Sequence, residues 1–142
     1  MKVFIDADGC PVVDIAAALA AKVGAECIII CDTSHIINRE GAKTVTVSKG
    51  SDSTDFTLLN MLSEGDVAIT QDYALAGMCL VRGARVLNQN GMIYTDENIL
   101  PLLTAREEAR KLRARKVWLK RPKKRTAADD KAFSQALSEL LK

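Results

Sequence analysis

Two aspartates close a short apolar run at the start of the chain. Asp6 and Asp8 follow the apolar residues 3–5 in the stretch KVFIDADGCPV. A buried strand cannot end cheaply on carboxylates, because an ionised carboxylate loses its hydration when it is buried. The two acids therefore either sit at an exposed strand end for a chemical purpose or cap the helix that follows.

Three further acids occupy comparable positions. Asp72 follows the apolar run VAIT, and Asp52 and Asp55 open the helical pattern in SDSTDFTLLNML. Carboxylates that share a crevice raise one another's pKa, and hard cations such as Mg²⁺ or Mn²⁺, which prefer oxygen ligands, relieve the repulsion. The candidate metal ligands are Asp6, Asp8, Asp52, Asp55 and Asp72, and all but Asp52 are also candidate catalytic residues. Helix capping is the alternative interpretation at Asp8, Asp52, Asp55 and Asp72.

The elements that would position these acids are strands that alternate with amphipathic helices. Strands are predicted at 2–6, 26–32, 43–48, 66–70 and 84–88, and helices at 11–24, 52–64 and 73–82. This order predicts one α/β domain over residues 1–142, an open and mainly parallel sheet with helices on both faces in a Rossmann-like three-layer arrangement. If the first and fourth strands are neighbours, Asp6, Asp8 and Asp72 flank the crevice where the strand order reverses.

The same topology makes expectations for other acids. In the helix after the third strand, the i,i+3 spacing of Asp52 and Asp55 is expected to point both acids toward this edge of the sheet. They share the face that packs inward with Phe56, Leu59 and Leu62. Asp32 ends the second strand at the same edge, a strand's width from the centre. Asp66 precedes its strand and is expected at the opposite edge, as a turn residue.

Charge is divided unevenly along the chain. Residues 1–104 carry 7 Lys/Arg and 13 Asp/Glu, whereas residues 105–142 carry 13 Lys/Arg and 5 Asp/Glu. Thr104 and Glu107 have the capping-box spacing and predict the start of a long basic helix, which Pro122 interrupts. Thr126 and Asp129 predict the start of a last helix. The basic helical C-terminal part is therefore expected over about 104–142.

The densest run of positive charge is residues 106–125, the basic segment, with 11 basic and 2 acidic residues. Such a segment beside an acidic metal site suits a phosphate backbone, and an exposed tryptophan can stack on an unpaired base. The candidate nucleic-acid-binding residues are Arg106, Arg110, Arg113, Lys116, Trp118, Lys120, Lys123 and Lys124, with RNA as the expected partner. The alternative is a solvated amphipathic helix anchored by Leu112, Val117 and Leu119.

Composition argues against a membrane or secreted protein. No run approaches 18 apolar residues, and the early aspartates break the apolar run that a signal peptide needs. The four cysteines form no CxxC pair and are expected to be reduced and buried, which favours the cytoplasm. The alanine-rich first helix, with little polar surface, is a candidate face for a homo-oligomer.

Two resemblances bear on the chemistry. FIDADGCPV resembles the Asp-x-Asp-Gly-Thr motif of haloacid-dehalogenase phosphatases, which implies Asp6 as nucleophile and Asp8 as general acid/base. Cys10 stands where that motif has threonine. Asp66 and Asp72 only loosely echo its metal motif, and Lys43 is the weak candidate for its charge-balancing lysine. A phosphatase is therefore kept as the alternative enzyme.

The second resemblance covers nearly the whole chain. DADGCPV, SDSTDFTLL, GDVAITQDYALA, RGARVLNQNGMIYTDENI, TAREEAR and RTAADDKAFSQALSELL resemble, in this order, segments of the YaiI/YqxD family of uncharacterised bacterial proteins, grouped with PIN-like folds. Gly9 departs from the alanine expected in DADACPV.

PIN-like domains are typically Mg²⁺- or Mn²⁺-dependent nucleases that act on RNA. The resemblance implies such a hydrolase, with Asp6, Asp55 and Asp72 as the best-supported ligands and Asp8 and Asp52 after them. A non-catalytic RNA-binding module is the other alternative.

Overall fold

The computed structural model describes residues 1–50, 53–118 and 123–142. Within these ranges, six strands and five helices follow one another along the chain. In order they are β1 (Lys2–Asp6), α1 (Val13–Lys22), β2 (Glu26–Asp32), β3 (Ala42–Val47), α2 (Ser53–Met61), β4 (Val67–Ile69), α3 (Tyr73–Val81), β5 (Arg85–Leu87), β6 (Ile93–Tyr94), α4 (Asp96–Ala114) and α5 (Ala127–Leu140).

The strands form one sheet in the order β3-β2-β1-β4-β5-β6. The first five strands are parallel, and β6 runs antiparallel to β5. Ile5 pairs with Ile29 on one side and Ile69 on the other, so β1 is central. The predicted neighbours β1 and β4 are confirmed, and the strand order reverses between them. The C-terminal ends of the parallel strands share one edge, here called the carboxyl edge.

Both faces of the sheet are covered, as predicted, because successive side chains of a strand point to opposite faces. Val3 and Ile5 belong to an apolar core that includes residues of α1 and α5, and Phe4 belongs to a second core that includes residues of α2 and α3. These three side chains are fully buried. The fold is the expected three-layer α/β architecture, with α4 packed on α3.

The alanines of α1 are divided between its inner and outer faces. Ala16 and Ala20 are fully buried, whereas Ala18 and Ala21 are exposed. Small side chains let α1 lie close to β2 and α5, which it contacts. Packing within the chain thus accounts for the inward part of the alanine pattern.

The basic helix begins eight residues earlier than predicted, since α4 starts at Asp96. The hydroxyl oxygen of Thr95 accepts from the N–H of Asn98, and the Asn98 side chain accepts from the N–H of Thr95 at 2.8 Å. This reciprocal cap starts the helix, so the predicted boundary at Thr104 is wrong. Pro101 lies inside α4, where it removes one helix hydrogen bond without ending the helix.

Two other local predictions have opposite outcomes. Phe56 is 64% exposed rather than turned inward, whereas Leu58 and Leu59 fill the inner face of α2. The start of α5 is confirmed, because the Asp129 carboxylate accepts from the N–H of Thr126 at 2.9 Å. An inward carboxylate at Asp55 therefore does not require its neighbour Phe56 to be inward.

No helix in the described ranges combines the length and the apolar character needed to cross a bilayer. All four cysteines are free thiols. Three of them are buried, and Cys10 is half-buried.

Candidate active site at the carboxyl edge

Four of the five predicted acids converge on one cavity at the carboxyl edge. The cavity, here called the acidic cavity, has a volume of about 430 Å³. It lies where the strand order reverses, the usual position of ligand sites in open α/β sheets. Its lining residues come from the ends of β1 and β2, the loop after β3, the start of α2 and the start of α3: Asp6, Asp8, Asp32, Lys49, Gly50, Thr54, Asp55 and Asp72. Asp52 lies outside the described residues.

Asp6 is the most perturbed of these acids. Its carboxyl group is largely buried at the end of β1, and the Thr70 hydroxyl donates a hydrogen bond to its Oδ2 at 2.8 Å. Burial is the main cause that raises the pKa of Asp6 from 3.8 to about 6; the negative charges of Asp55, Asp8 and Asp72 add to this rise, and the Thr70 hydrogen bond opposes it. A carboxylate in this position is stabilised by any cation that enters the cavity.

Asp72 caps a helix and also lines the acidic cavity. Its Oδ1 accepts from the N–H groups of Ala74 at 2.9 Å and Leu75 at 3.2 Å, so it caps α3. Arg106 Nη1 lies 3.7 Å from the same oxygen. Among the described residues, Oδ2 accepts no hydrogen bond, so the cap leaves one carboxylate oxygen for a ligand.

Asp8 and Asp55 line the acidic cavity from different elements of the fold. Helix α1 is preceded by Val12 and has no side-chain cap, so the capping alternative for Asp8 is not realised. Asp8 is exposed and faces the cavity from the loop after β1. Asp55 lies in the first turn of α2, and its charge raises the pKa of Asp6.

Sequence reasoning missed three residues of the site. Thr70 is fully buried, and its hydroxyl oxygen also accepts from the N–H of Asp72 at 3.0 Å, so it joins the two acids. Lys49 enters from the loop after β3 and brings a positive charge into the cavity. Asp32 lines the same cavity rather than standing apart, and hydrogen bonds from Ser34 lower its pKa. Each lies at or just after the C-terminal end of a parallel strand, and that position was the available signal.

The donor set suits a hard divalent cation, although the described residues do not hold a preformed ion-binding cage. No group of three Asp, Glu, His or Cys side chains within residues 1–50, 53–118 and 123–142 is arranged to hold a metal ion. Mg²⁺ commonly binds through one or two carboxylates, keeps several waters and completes its shell with substrate phosphate. A buried carboxylate at Asp6 beside Asp55 and Asp72 fits that mode of binding.

The acidic cavity continues toward the basic helix α4. A connecting pocket shares Asp6, Asp8 and Asp72 with it and adds Gln71 and Arg106. Gln71 is held at this junction because its Nε2 donates to the carbonyl of Gly9 at 3.0 Å. Beyond Arg106 the pocket meets a groove between α3 and α4, the α3–α4 groove, lined by Gln71, Tyr73, Leu102, Ala105, Arg106, Ala109 and Arg113.

The predicted nucleic-acid-binding residues differ in whether they line a pocket, pair with an acid or are simply exposed. Arg106 and Arg113 line the α3–α4 groove, whereas Arg110 is engaged by Glu107 through two hydrogen bonds of 3.0 and 2.6 Å. Lys123 lines another pocket, which adjoins the site at Gly9 and Gln71. Lys116 and Lys124 are exposed.

Trp118, four residues beyond the end of α4, is 82% exposed. Leu112 and Val117 are exposed as well, and α4 has no buried side chain. These two residues therefore do not anchor a solvated helix, contrary to the alternative. Lys120 and Leu119 lie outside the described residues.

Arg125 ends the basic segment and has a structural role. Its guanidinium donates to Asp130, to the Asn90 side chain and to the carbonyl of Gln89, at 2.7 to 2.8 Å. These bonds tie the start of α5 to the turn between β5 and β6. Arg125 is therefore set apart from the lysines that precede it.

The fold and the site define a class: a three-layer α/β protein with a carboxylate-lined cavity at the switch point of a parallel sheet. Residues 4–142 match the protein family described as "Uncharacterized BCR, YaiI/YqxD family". The chain belongs to this family.

Relatives align over nearly their whole length. The chain is 45% identical over 141 residues to a UPF0178 protein of Exiguobacterium sibiricum, covering 99% of this chain and 96% of the relative. It is 44% identical over 142 residues to a UPF0178 protein of Ruminiclostridium cellulolyticum, covering 100% and 93%. No solved structure matches the chain. These names state no activity, so the function must be argued from the site.

Proposed function

We propose that the protein is a divalent-cation-dependent nuclease that hydrolyses phosphodiester bonds in RNA, with Mg²⁺ or Mn²⁺ as its cofactor. The observation that carries the proposal is the Asp6 carboxyl, with a pKa raised to about 6 beside three other acids at the switch point of the sheet. Acids that mutually oppose ionisation are found often at functional sites, and a bound cation relieves their repulsion at a pH at which they are ionised.

Charge around the cavity also supports a phosphate-bearing substrate. Lys49 lines the acidic cavity, Arg106 lines the connecting pocket beside it, and Lys123 lines a further pocket that shares Gly9 and Gln71 with the connecting pocket. A polyanion would be repelled by the acids alone, whereas these cations attract its backbone. The combination of an acidic centre with basic flanks favours a nucleic acid over a small neutral substrate.

The residues around the acidic cavity would have different roles in the reaction. Asp6, Asp55 and Asp72 would hold the cation, and Asp8 would orient a water molecule or a second ion. A bound divalent cation supplies a lowered pKa for its water and stabilises charge on the phosphate oxygens. Arg106 and Lys49 would bind non-bridging phosphate oxygens, since both cations border the acids.

We also propose that the protein acts in the cytoplasm, because reducing conditions there keep free thiols such as those of its four cysteines reduced. Neutralising Asp8 or Asp55 is expected to lower the rate of RNA cleavage, because both acids line the acidic cavity together with Asp6.

Calorimetric titration of Mn²⁺ into the wild type and the Asp6→Asn/Asp72→Asn variant tests the proposal. Asparagine is a good N-cap, so the variant keeps the start of α3. We expect Mn²⁺ binding and cleavage of labelled RNA by the wild type, and loss of both in the folded variant.

An Asp96→Asn/Glu97→Gln variant is the matched control. It removes the same number of carboxylates from the exposed first turn of α4, away from the cavity. It should bind Mn²⁺ and cleave RNA as the wild type does. RNA cleavage that persists in the Asp6→Asn/Asp72→Asn variant contradicts the proposal.

A non-catalytic RNA-binding module is the second candidate. The exposed Trp118 and the basic flanks favour it, because stacking and backbone contacts need no cation. It differs from the nuclease in one result: RNA binding survives chelation, and no cleavage appears when Mn²⁺ or Mg²⁺ is added.

A further inference from the structure

The α3–α4 groove has the composition of a nucleobase site. Its volume is about 490 Å³, within the range of about 300–1,000 Å³ typical of small-ligand pockets. Tyr73 supplies an aromatic ring, Leu102 an apolar wall, and Gln71 an amide. A planar, partly polar ring fits such a lining better than a phosphate alone does.

Tyr73 is fixed in place at the groove. Its ring packs edge-on against that of Tyr94 at a centroid distance of 6.0 Å, and the hydroxyl of Tyr94 donates to the carbonyl of Thr70 at 3.1 Å. Tyr73 is thus connected through buried groups to the threonine that holds Asp6. A rigid ring loses little entropy when a base stacks on it.

The groove is continuous with the acidic cavity. Gln71 and Arg106 line both the groove and the connecting pocket, which itself borders Asp6 and Asp72. Arg113 lies farther along α4 on the same groove. A strand whose phosphate sits at the acids would place its next nucleoside at Tyr73, with Arg106 and Arg113 available for the phosphates on either side.

We propose that the α3–α4 groove binds an unstacked nucleobase of a single-stranded nucleic acid, next to the phosphate that faces the acidic cavity. The proposal rests on the proposed function for the identity of that phosphate. It also excludes a paired duplex at this position, because a base that occupies the groove cannot remain stacked in a helix.

The test compares two oligomers of equal length and charge in a Trp118→Ala background, which removes the most exposed ring outside the groove. One probe is a labelled oligouridylate, and the other is the corresponding abasic sugar-phosphate oligomer. Affinities are measured with EDTA present, so that binding is read without cleavage. We expect the base-bearing strand to bind about tenfold more tightly, the effect of one stacked base.

Ala105→Glu obstructs the groove, and Ala114→Glu is its matched control on the same helix. Both positions are exposed, and both variants add one negative charge, but only Ala105 lines the groove. We expect Ala105→Glu to abolish the preference for bases and Ala114→Glu to retain it. Ala105→Lys should also abolish the preference while keeping affinity for the abasic oligomer, which separates obstruction from repulsion.

Equal preference in the Ala105→Glu and Ala114→Glu variants overturns the proposal, as does equal weakening of both oligomers by Ala105→Glu. Mn²⁺-dependent cleavage by the same proteins distinguishes the two proposals. Cleavage without a groove-dependent base preference refutes only the groove, whereas base preference without cleavage refutes only the nuclease.

Discussion

At the residue scale, the site depends on one carboxylate whose ionisation the surrounding protein opposes. Asp6 is desolvated at the end of β1 and faces the charges of Asp55, Asp8 and Asp72. Thr70 offers it one hydrogen bond in compensation. An ionised Asp6 favours cation binding, but in the absence of the cation it destabilises the folded protein, because its charge is desolvated and close to other negative charges.

Asp6→Asn is expected to stabilise the metal-free protein at neutral pH. With a folded pKa of about 6 against 3.8, the native state binds this proton more tightly than the unfolded chain does. The contribution of Asp6 to stability is therefore fully present below about pH 3.8 and is lost as the pH rises through about 6. At pH 7 the free energy of unfolding of Asp6→Asn is expected to exceed that of the wild type by on the order of 2–3 kcal/mol, and this difference should vanish near pH 4. Urea unfolding in EDTA at both pH values measures it.

Asp66→Asn is the control for that experiment. Asp66 is also buried, but its carboxylate accepts from the N–H groups of Lys2 and Ser63 at the opposite edge of the sheet. The predicted position of Asp66 is thus confirmed. An amide can replace only part of this pattern, so Asp66→Asn should destabilise the protein. Stabilisation by both variants would refute the account given for Asp6.

Thr70→Val tests the group that joins two acids of the site. Valine keeps the shape but removes the donor to Asp6 and the acceptor for the N–H of Asp72. We expect a loss of about 1–3 kcal/mol in unfolding free energy and a further rise in the pKa of Asp6. Thr70→Ser should restore both. An NMR titration of the Asp6 carboxyl reads the pKa, and an unchanged value contradicts the role of Thr70.

At the scale of elements, α4 is built more from local hydrogen bonds than from burial. It has 19 residues and no buried side chain. Its end is closed by a Schellman motif, in which the N–H of Val117 donates to the carbonyl of Leu112 at 3.0 Å. Lys116 takes the left-handed position of this motif, with φ of +60°. The motif directs the chain toward Trp118.

Lys116→Gly is expected to strengthen the end of α4. A left-handed conformation costs a non-glycine residue about 1 kcal/mol, which glycine avoids. Lys111→Gly removes the same charge inside the helix and should weaken it by about 1 kcal/mol. Amide hydrogen exchange in the last turn of α4 should therefore slow in the first variant and quicken in the second. Changes of the same sign in both would contradict the assignment of the cap.

At the scale of the whole molecule, charge is separated along the chain but brought together by the fold. The acidic residues of the first 104 positions include those of the acidic cavity. The basic segment supplies Arg106 to the connecting pocket and Lys123 to the pocket that adjoins the connecting pocket. This arrangement predicts a strong salt dependence for nucleic-acid binding.

Replacing Arg113, Lys123 and Lys124 by glutamine should lower the salt dependence of nucleic-acid binding. None of the three forms an ion pair within the described part of the chain. In EDTA, the slope of log affinity against log salt for a single strand is expected to fall by about 2, since each lost phosphate contact contributes about 0.7. A control triple variant of Lys22, Lys43 and Arg82 to glutamine, remote from the site, should leave it unchanged. Equal slopes in the two variants would contradict binding through the basic segment.

The sequence by itself determined the elements that depend on local pattern. Apolar runs predicted β1 and β2 residue for residue, and the Thr126–Asp129 cap predicted the start of α5. The positions of Asp6 and Asp72 after parallel strands also predicted their edge. These features can be predicted from the sequence because the periodicity of apolar residues reflects which side chains are buried, and because capping hydrogen bonds join residues only a few positions apart.

Only the tertiary structure decided which side chains meet. The inclusion of Lys49 and Asp32 in the acidic cavity depends on how the loop after β3 and the end of β2 lie beside β1. The contact of Arg106 with Asp72 depends on where α4 begins and how it packs on α3. Distances between residues far apart in the chain depend on the strand order and on helix packing. Neither of these can be predicted from a local sequence pattern.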